Sequence, residues 1–224
     1  MKLLIFDLDG TLIDSKLDIA TAANAARSHM GLAPLPNELI YTYVGNGAPV
    51  LMRRTMGPEA SDGDVAQALE YFISYYLAHQ FDYTTLYPGV RETLDAFRER
   101  GLRMAVLTNK TSEISVQIVA GLGLADHFFR VYGGNCFSQK KPDPIGILTL
   151  MNEAGAGPSE TMMIGDSAVD VKTARNAGVK ACGVTYGFQP ESLIVEPPDI
   201  LLDEFAGLQP VVFGATAPNG RMAE

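Results

Sequence analysis

Basic residues are scarce in this chain, cysteine and histidine scarcer still, and no long apolar run occurs in its 224 residues. Seventeen lysines and arginines face 26 aspartates and glutamates, a formal net charge of −9. Nucleic-acid binders carry a basic excess that neutralises phosphates, so this balance argues against that class. No apolar stretch approaches the roughly 20 residues needed to cross a bilayer. The short apolar run after Lys2 meets an acid too soon to be the core of a secretory signal. Cys136 and Cys182 have no motif spacing and read as free thiols of a cytoplasmic protein. His29, His79 and His127 share no spacing and read as packing or surface residues. There is no internal repeat or low-complexity tract. What is present, 47% hydrophobic and 19% charged residues, suits a soluble globular protein of one domain, or of one domain with a second inserted.

Continuous apolar runs bounded by turn signals predict buried strands at 3–7, 103–108, 161–165 and 179–184, with shorter candidates at 128–132 and 199–202. Helical patterns alternate with them at 90–100, 112–121, 144–154 and 169–177. The first of these starts after Pro88-Gly89 and stops at Gly101, and the last stops at Gly178. Strands alternating with helices predict an α/β fold with a doubly wound parallel sheet. One segment, 15–87, breaks the rhythm with helical patterns such as 18–27 and 65–77 and no convincing strand. It reads as an inserted helical cap, leaving 1–14 and 88–213 as the core and 214–224 as a small, polar, flexible tail.

The first strand runs straight into two acids, Asp7 and Asp9, followed by the turn residues Gly10 and Thr11. Ligands of open α/β sheets bind outside the carboxyl ends of strands, so these acids face a crevice. Paired carboxylates repel unless a proton or cation relieves them, and Mg²⁺ is the commonest hard cation with oxygen ligands. Asp166 and Asp170 follow another strand end and open a helix, where a capping role alone would also suit Asp166. Thr108 and Asn109 end the second strand, and Lys140 and Lys141 precede a helix. Thr108 could be a turn cap and Lys141 a solvated lysine. Set beside the acids, a hydroxyl, an ammonium and a Mg²⁺ site describe a pocket for a phosphoryl group.

The ordered set FDLDGT (6–11), LTNK (107–110), KKPDP (140–144) and GDSAVD (165–170) resembles the four motifs of the haloacid dehalogenase superfamily of phosphatases. The inserted helical block is similar to that superfamily's small cap. The stretch Tyr43-Val-Gly-Asn-Gly-Ala48 is similar to the cap sequence of bacterial phosphoglycolate phosphatases. The resemblance implies a Rossmann-like core and catalytic roles for Asp7, Asp9, Thr108 and Lys141. Asp7 would be the nucleophile that forms an aspartyl-phosphate, and Asp9 the acid and then the base. Mg²⁺ would be held by Asp7, the Asp9 carbonyl and Asp166, with Asp170 in support. Thr11, Thr108, Asn109 and Lys141 would contact the phosphoryl group.

The second acid and the metal site favour phosphate chemistry over dehalogenation, in which no leaving alkoxide needs a proton. The cap's only lysine, Lys16, lies at its edge, which argues against Schiff-base phosphonate cleavage. A phosphomutase, a phosphatase for another metabolite or pyrophosphate, and a non-catalytic binding protein on the same fold stay open. The cap holds four basic residues, Lys16, Arg27, Arg53 and Arg54, against seven acidic ones, so an anionic substrate tail must be gripped locally. Gly45, Asn46 and Gly47 stand before a helix start with Pro49 in its first turn, where bared N–H groups can bind a carboxylate. Arg53 and Arg54 lie one to two turns on, and helix geometry lets at most one face the site. The expected partner is a small carboxylated phosphomonoester such as 2-phosphoglycolate. Nothing in the sequence sets an oligomeric state.

Overall fold

The computed structural model describes residues 1–214, so the tail expected at 214–224 lies, from 215 on, outside the described residues. Strand β1 (Leu3–Phe6) leads through β2 (Ile13–Asp14) into four helices, α1 (Lys16–His29), α2 (Asn37–Tyr41), α3 (Ala48–Met56) and α4 (Asp62–His79). Then β3 (Thr85–Leu86), α5 (Val90–Glu99), β4 (Arg103–Leu107), α6 (Ser112–Gly121) and β5 (Arg130–Tyr132) follow. The chain continues through α7 (Ile145–Ala154), β6 (Thr161–Gly165), α8 (Ala168–Ala177), β7 (Lys180–Val184), α9 (Ser192–Val195), β8 (Ile200–Leu202) and α10 (Leu208–Phe213).

Six strands form one parallel sheet in the order β5-β4-β1-β6-β7-β8. Side chains alternate across a strand, and β1 uses both faces for packing. Leu4 and Phe6 join Leu94 and Phe97 of α5 and Ile114 and Ile118 of α6. Leu3 and Ile5 join Ile147 and Leu150 of α7 and Val171 and Ala174 of α8. Helices therefore cover both faces, as continuous apolar strands require. The chain winds to one side of β1 through β4 and β5, and to the other from β6 onward. That reversal between β1 and β6 is the switch point where such sheets bind ligands.

The block read as wholly helical contains one exception. Thr85–Leu86 pairs antiparallel with Ile13–Asp14, a two-residue ribbon that clasps the entry and exit of the helical insert. Two residues are too short for an alternating pattern to register. Within the insert α1 and α3 both pack on α4. The buried Asp18 carboxylate accepts from the backbone N–H of Tyr83 and Thr84 and from the Thr84 hydroxyl at 2.7 to 3.1 Å, which ties α1 to the returning chain.

Candidate active site

Asp7 extends β1 and its N–H donates to Ile164 O of β6 at 2.9 Å, so the parallel ladder itself aims the side chain out of the switch point. Asp166 extends β6, and Asp170 lies one turn into α8. Ligand oxygens of Asp7, Asp166 and Asp170 all lie within 4.8 Å of one another. Three glycines admit this crowding. A Cβ on Gly187 would stand 2.2 Å from Asp166 Cβ, one on Gly165 would stand 2.2 Å from Asp170 Cγ, and one on Gly10 would stand 2.3 Å from Asp166 Oδ2. Gly10 also turns the chain at φ +81°, a conformation that side chains disfavour.

Lys141 is buried among these acids, with Nζ 3.0 Å from Asp7 Oδ1 and 2.6 Å from Asp170 Oδ1. Asp170 Oδ2 accepts from the Ser167 hydroxyl at 2.7 Å and the Ser167 N–H at 3.2 Å, a capping box that starts α8. Both Asp170 oxygens are thus engaged, and Asp170 serves to hold Lys141. Asp166 Oδ2 accepts from Phe188 N–H at 2.6 Å. Asp7 Oδ1 accepts from Leu8 N–H at 2.8 Å. Asp7 Oδ2 and Asp166 Oδ1 have no hydrogen-bond donor among the described residues.

Burial pushes the Asp7 carboxyl up to about 6, against the pull of Lys141, with Asp170 adding to the rise. Burial, then the charges of Asp170 and Asp7, hold Asp166 well above the usual carboxylate range. Burial works against the Lys141 charge, but Asp170 and Asp7 outweigh it and the pKa is raised. Such a cluster of hard oxygens with excess negative charge fits a hard divalent cation.

The Asp9 carboxylate does not join this cluster, so the paired acids of the first strand end do not share a cation through their side chains. It accepts from Lys110 Nζ at 2.9 and 3.0 Å and from the Ser15 hydroxyl at 2.5 Å. The two-residue step from Asp7, just past the strand's end, turns it toward α4 and the loop before α6. Any metal contact from Asp9 is left to its backbone carbonyl. Thr108 Oγ1 accepts from Lys110 N–H at 3.3 Å, leaving its hydroxyl proton free to point into the cleft.

A model of the family described as haloacid dehalogenase-like hydrolase matches residues 4–184. A protein of Vibrio vulnificus named phosphoglycolate phosphatase is 40% identical over 219 residues, covering 95% of this chain and 96% of that protein. One of Agrobacterium fabrum with the same name is 37% identical over 224 residues, covering 99% and 96%. The crystal structure of a predicted phosphoglycolate phosphatase from Haemophilus somnus superposes with a TM-score of 0.90 at 32% identity, covering 94% of this chain and 97% of that one. This chain is a haloacid dehalogenase-like hydrolase.

In this haloacid dehalogenase-like hydrolase the helical insert closes over the switch point. Asn109 Nδ2 donates to Gly45 O at 3.1 Å, Lys140 Nζ to Asn46 O at 3.2 Å, and Gln189 Nε2 to Val44 O. Gly45 and Gly47 line the cleft, whereas Asn46 meets the core through its carbonyl. Asn109 Nδ2 also donates to Lys141 O at 3.2 Å, so Asn109 braces the insert and the lysine loop together.

Besides Asn46, four expected substrate contacts do not line the cleft: Arg53, Arg54, Thr11 and the buried Lys141. Arg53 is spent on Ala60 O and an ion pair with exposed Asp62, and exposed Arg54 reaches back to Tyr43 O. Ala48 and Leu51 are the α3 residues on the cleft, and Leu51, Met52, Thr55 and Met56 are buried, which leaves the two arginines on the outer side. Thr11 is fully buried under the turn, its carbonyl accepting from the Tyr186 hydroxyl at 2.9 Å.

Sequence reasoning passed over Lys110, Ser15, Ser167, Gly187 and Phe188, and the helical spacing of Tyr71, Phe72, Tyr75 and Tyr76 reads as packing of the insert alone. Ser167 was readable, since Ser with Asp three residues on is a capping signature. Lys110 sits inside the quoted LTNK. The loop at 186–189 follows β7 without a periodic pattern and offers no such signal.

Proposed function

We propose that this protein is a Mg²⁺-dependent phosphomonoester hydrolase that removes phosphate from 2-phosphoglycolate through covalent capture on Asp7. The observation that carries the reading is an Asp7 oxygen left free of donors at the switch point, flanked by Lys141 and two further acids. The name shared by the relatives from Vibrio vulnificus and Agrobacterium fabrum supports the substrate. The cleft, about 70 Å³, fits a small substrate. Free thiols at Cys136 and Cys182 favour a cytoplasmic setting.

Asp7, Asp166 and the Asp9 carbonyl are the groups that would hold Mg²⁺. Bound there, Mg²⁺ offsets the repulsion between the Asp7 carboxylate and the phosphate dianion. Lys141 has three N–H donors; one goes to Asp170 and the ammonium is ion-paired with Asp7, which leaves a donor for a phosphoryl oxygen. The Thr108 hydroxyl donates to another. Asp7 attacks phosphorus as the bond to the glycolate oxygen breaks, and Asp9 delivers a proton to that oxygen. Water then attacks the acyl-phosphate, Asp9 takes its proton, and phosphate leaves with the Asp7 carboxylate restored.

A panel of phosphorylated metabolites at fixed Mg²⁺ tests the substrate: 2-phosphoglycolate should give the highest kcat/KM. Equal turnover of sugar phosphates would remove it. An Asp7→Asn variant that kept turnover would remove the covalent mechanism.

A further inference from the structure

Lys110 Nζ has three partners and lies at their centre. It donates to both Asp9 oxygens, at 2.9 and 3.0 Å, and to the Tyr76 hydroxyl at 2.9 Å, and it stands 4.5 Å from the centroid of the Tyr76 ring. All three side chains are nearly excluded from water. They come from three places in the chain: the turn after β1, the loop before α6, and the inserted helix α4. A lysine ammonium on a four-carbon stem can point in many directions. Here the Tyr76 hydroxyl and ring face restrict it to one, and that direction is toward Asp9.

We infer that Tyr76 and Lys110 are positioning residues that hold the Asp9 carboxylate for proton transfer only when the helical insert is seated on the core. The inference rests on Asp9 being the acid of the proposed reaction. The Tyr76–Lys110 bond is not the only one that joins the insert to the core among the described residues. Asn109, Lys140 and Gln189 make separate bonds to the 44–46 loop, on another part of the rim. Ser15 holds Asp9 Oδ1 from one side at 2.5 Å, and Lys110 grips both oxygens from the other. Removing Lys110 leaves the carboxylate with one donor and freedom to rotate. Removing the Tyr76 hydroxyl leaves Lys110 without its stop. The apolar side chains of Ile19, Phe72 and Ile114 line the same cleft as this cluster.

The test compares two substrates of similar size. The alkoxide leaving 2-phosphoglycolate needs a proton in the transition state, whereas the acetate leaving acetyl phosphate does not. General acids contribute about 10² to 10⁴-fold, so Asp9→Asn should cut kcat/KM on 2-phosphoglycolate at least about 100-fold more than on acetyl phosphate. Lys110→Met should show the same selective loss of at least about tenfold, and Tyr76→Phe of at least about threefold. Lys110→Arg should recover part of the selectivity, and Tyr75→Phe, altered on the same helix outside the triad, should match the wild type. Equal losses on both substrates in Asp9→Asn would overturn the assignment of the acid. A selective loss in Asp9→Asn with none in Lys110→Met and Tyr76→Phe would overturn the positioning inference alone. Should Lys110→Met fail to fold, Tyr76→Phe keeps the ring and its packing and decides the matter.

Discussion

Lys141 Nζ donates to Asp170 Oδ1 across 2.6 Å with both side chains 3% exposed. The contact anchors the one cation among the described residues that opposes Asp7, Asp166 and Asp170. Deleting one partner of a buried pair typically costs about 3–5 kcal/mol, because the other is left as an uncompensated charge. Lys141→Met should therefore lower the unfolding free energy by about 3 kcal/mol or more and abolish turnover. Urea denaturation measures the first, and an undiminished midpoint would show that Asp7 and Asp170 do not depend on the ammonium.

The raised Asp7 carboxyl links stability to pH. In the folded protein it titrates at about 6, against 3.8 for an ordinary aspartate. Between those values the folded state binds more protons than the unfolded one, so stability falls as pH rises through the window. The penalty is absent below about pH 4 and fully developed above about pH 6. A divalent cation bound by the ionised acids would cancel it. The rise in Tm on adding Mg²⁺ should accordingly be larger at about pH 7.5 than at about pH 5. A pH-independent rise in thermal-shift measurements would separate cation binding from these carboxylates.

Helix α6 spans Ser112–Gly121, the same residues its apolar period marks out in the sequence, and α5 ends one residue before the expected 100. Long, buried elements announce themselves because burial forces a periodic pattern. The acids were readable for a related reason, since a strand of apolar residues ending in Asp has few structural explanations. Helices α2, α9 and α10 are of four to six residues and carry too few turns to show a period. The direction of Asp9 was hidden because its partner Lys110 lies 101 positions away. Helix geometry allowed one of the two arginines to face the site and neither does, because the side of α3 that meets the core depends on how the insert docks, which no local spacing encodes.

Arg53 and Arg54 offer a direct check on that docking. Because neither reaches the cleft, Arg53→Ala and Arg54→Ala should leave KM for 2-phosphoglycolate within about twofold of the wild type. The loss of the Arg53–Asp62 pair, whose acid is fully exposed, should not register as a change in stability. A KM raised about tenfold or more in steady-state kinetics would mean that the insert moves far enough on binding to bring an arginine inward.

Gly187 has a purpose that its place in an aperiodic loop conceals. A Cβ there would lie 2.2 Å from Asp166 Cβ, 2.5 Å from Asp166 Oδ2 and 2.5 Å from Gly10 O. Two of those atoms belong to a short side chain fixed by the Phe188 N–H, and the third to the backbone of the turn after β1, so neither side can yield cheaply. Gly187→Ala should push Asp166 away from Asp7 and strain the Gly10 turn. Overpacking of this kind costs about 1–3 kcal/mol. The sharper effect falls on the cation, which needs both carboxylates within reach of one centre. The Mg²⁺ concentration for half-maximal turnover should rise at least about tenfold. At saturating Mg²⁺ much of kcat should return, because the three atoms nearest the added methyl belong to Asp166 and Gly10 and not to Asp7, Lys141 or Thr108. Metal titrations of kcat measure both effects. An unchanged Mg²⁺ requirement would show that Asp166 does not hold the cation and that the close approach of Gly187 serves packing alone.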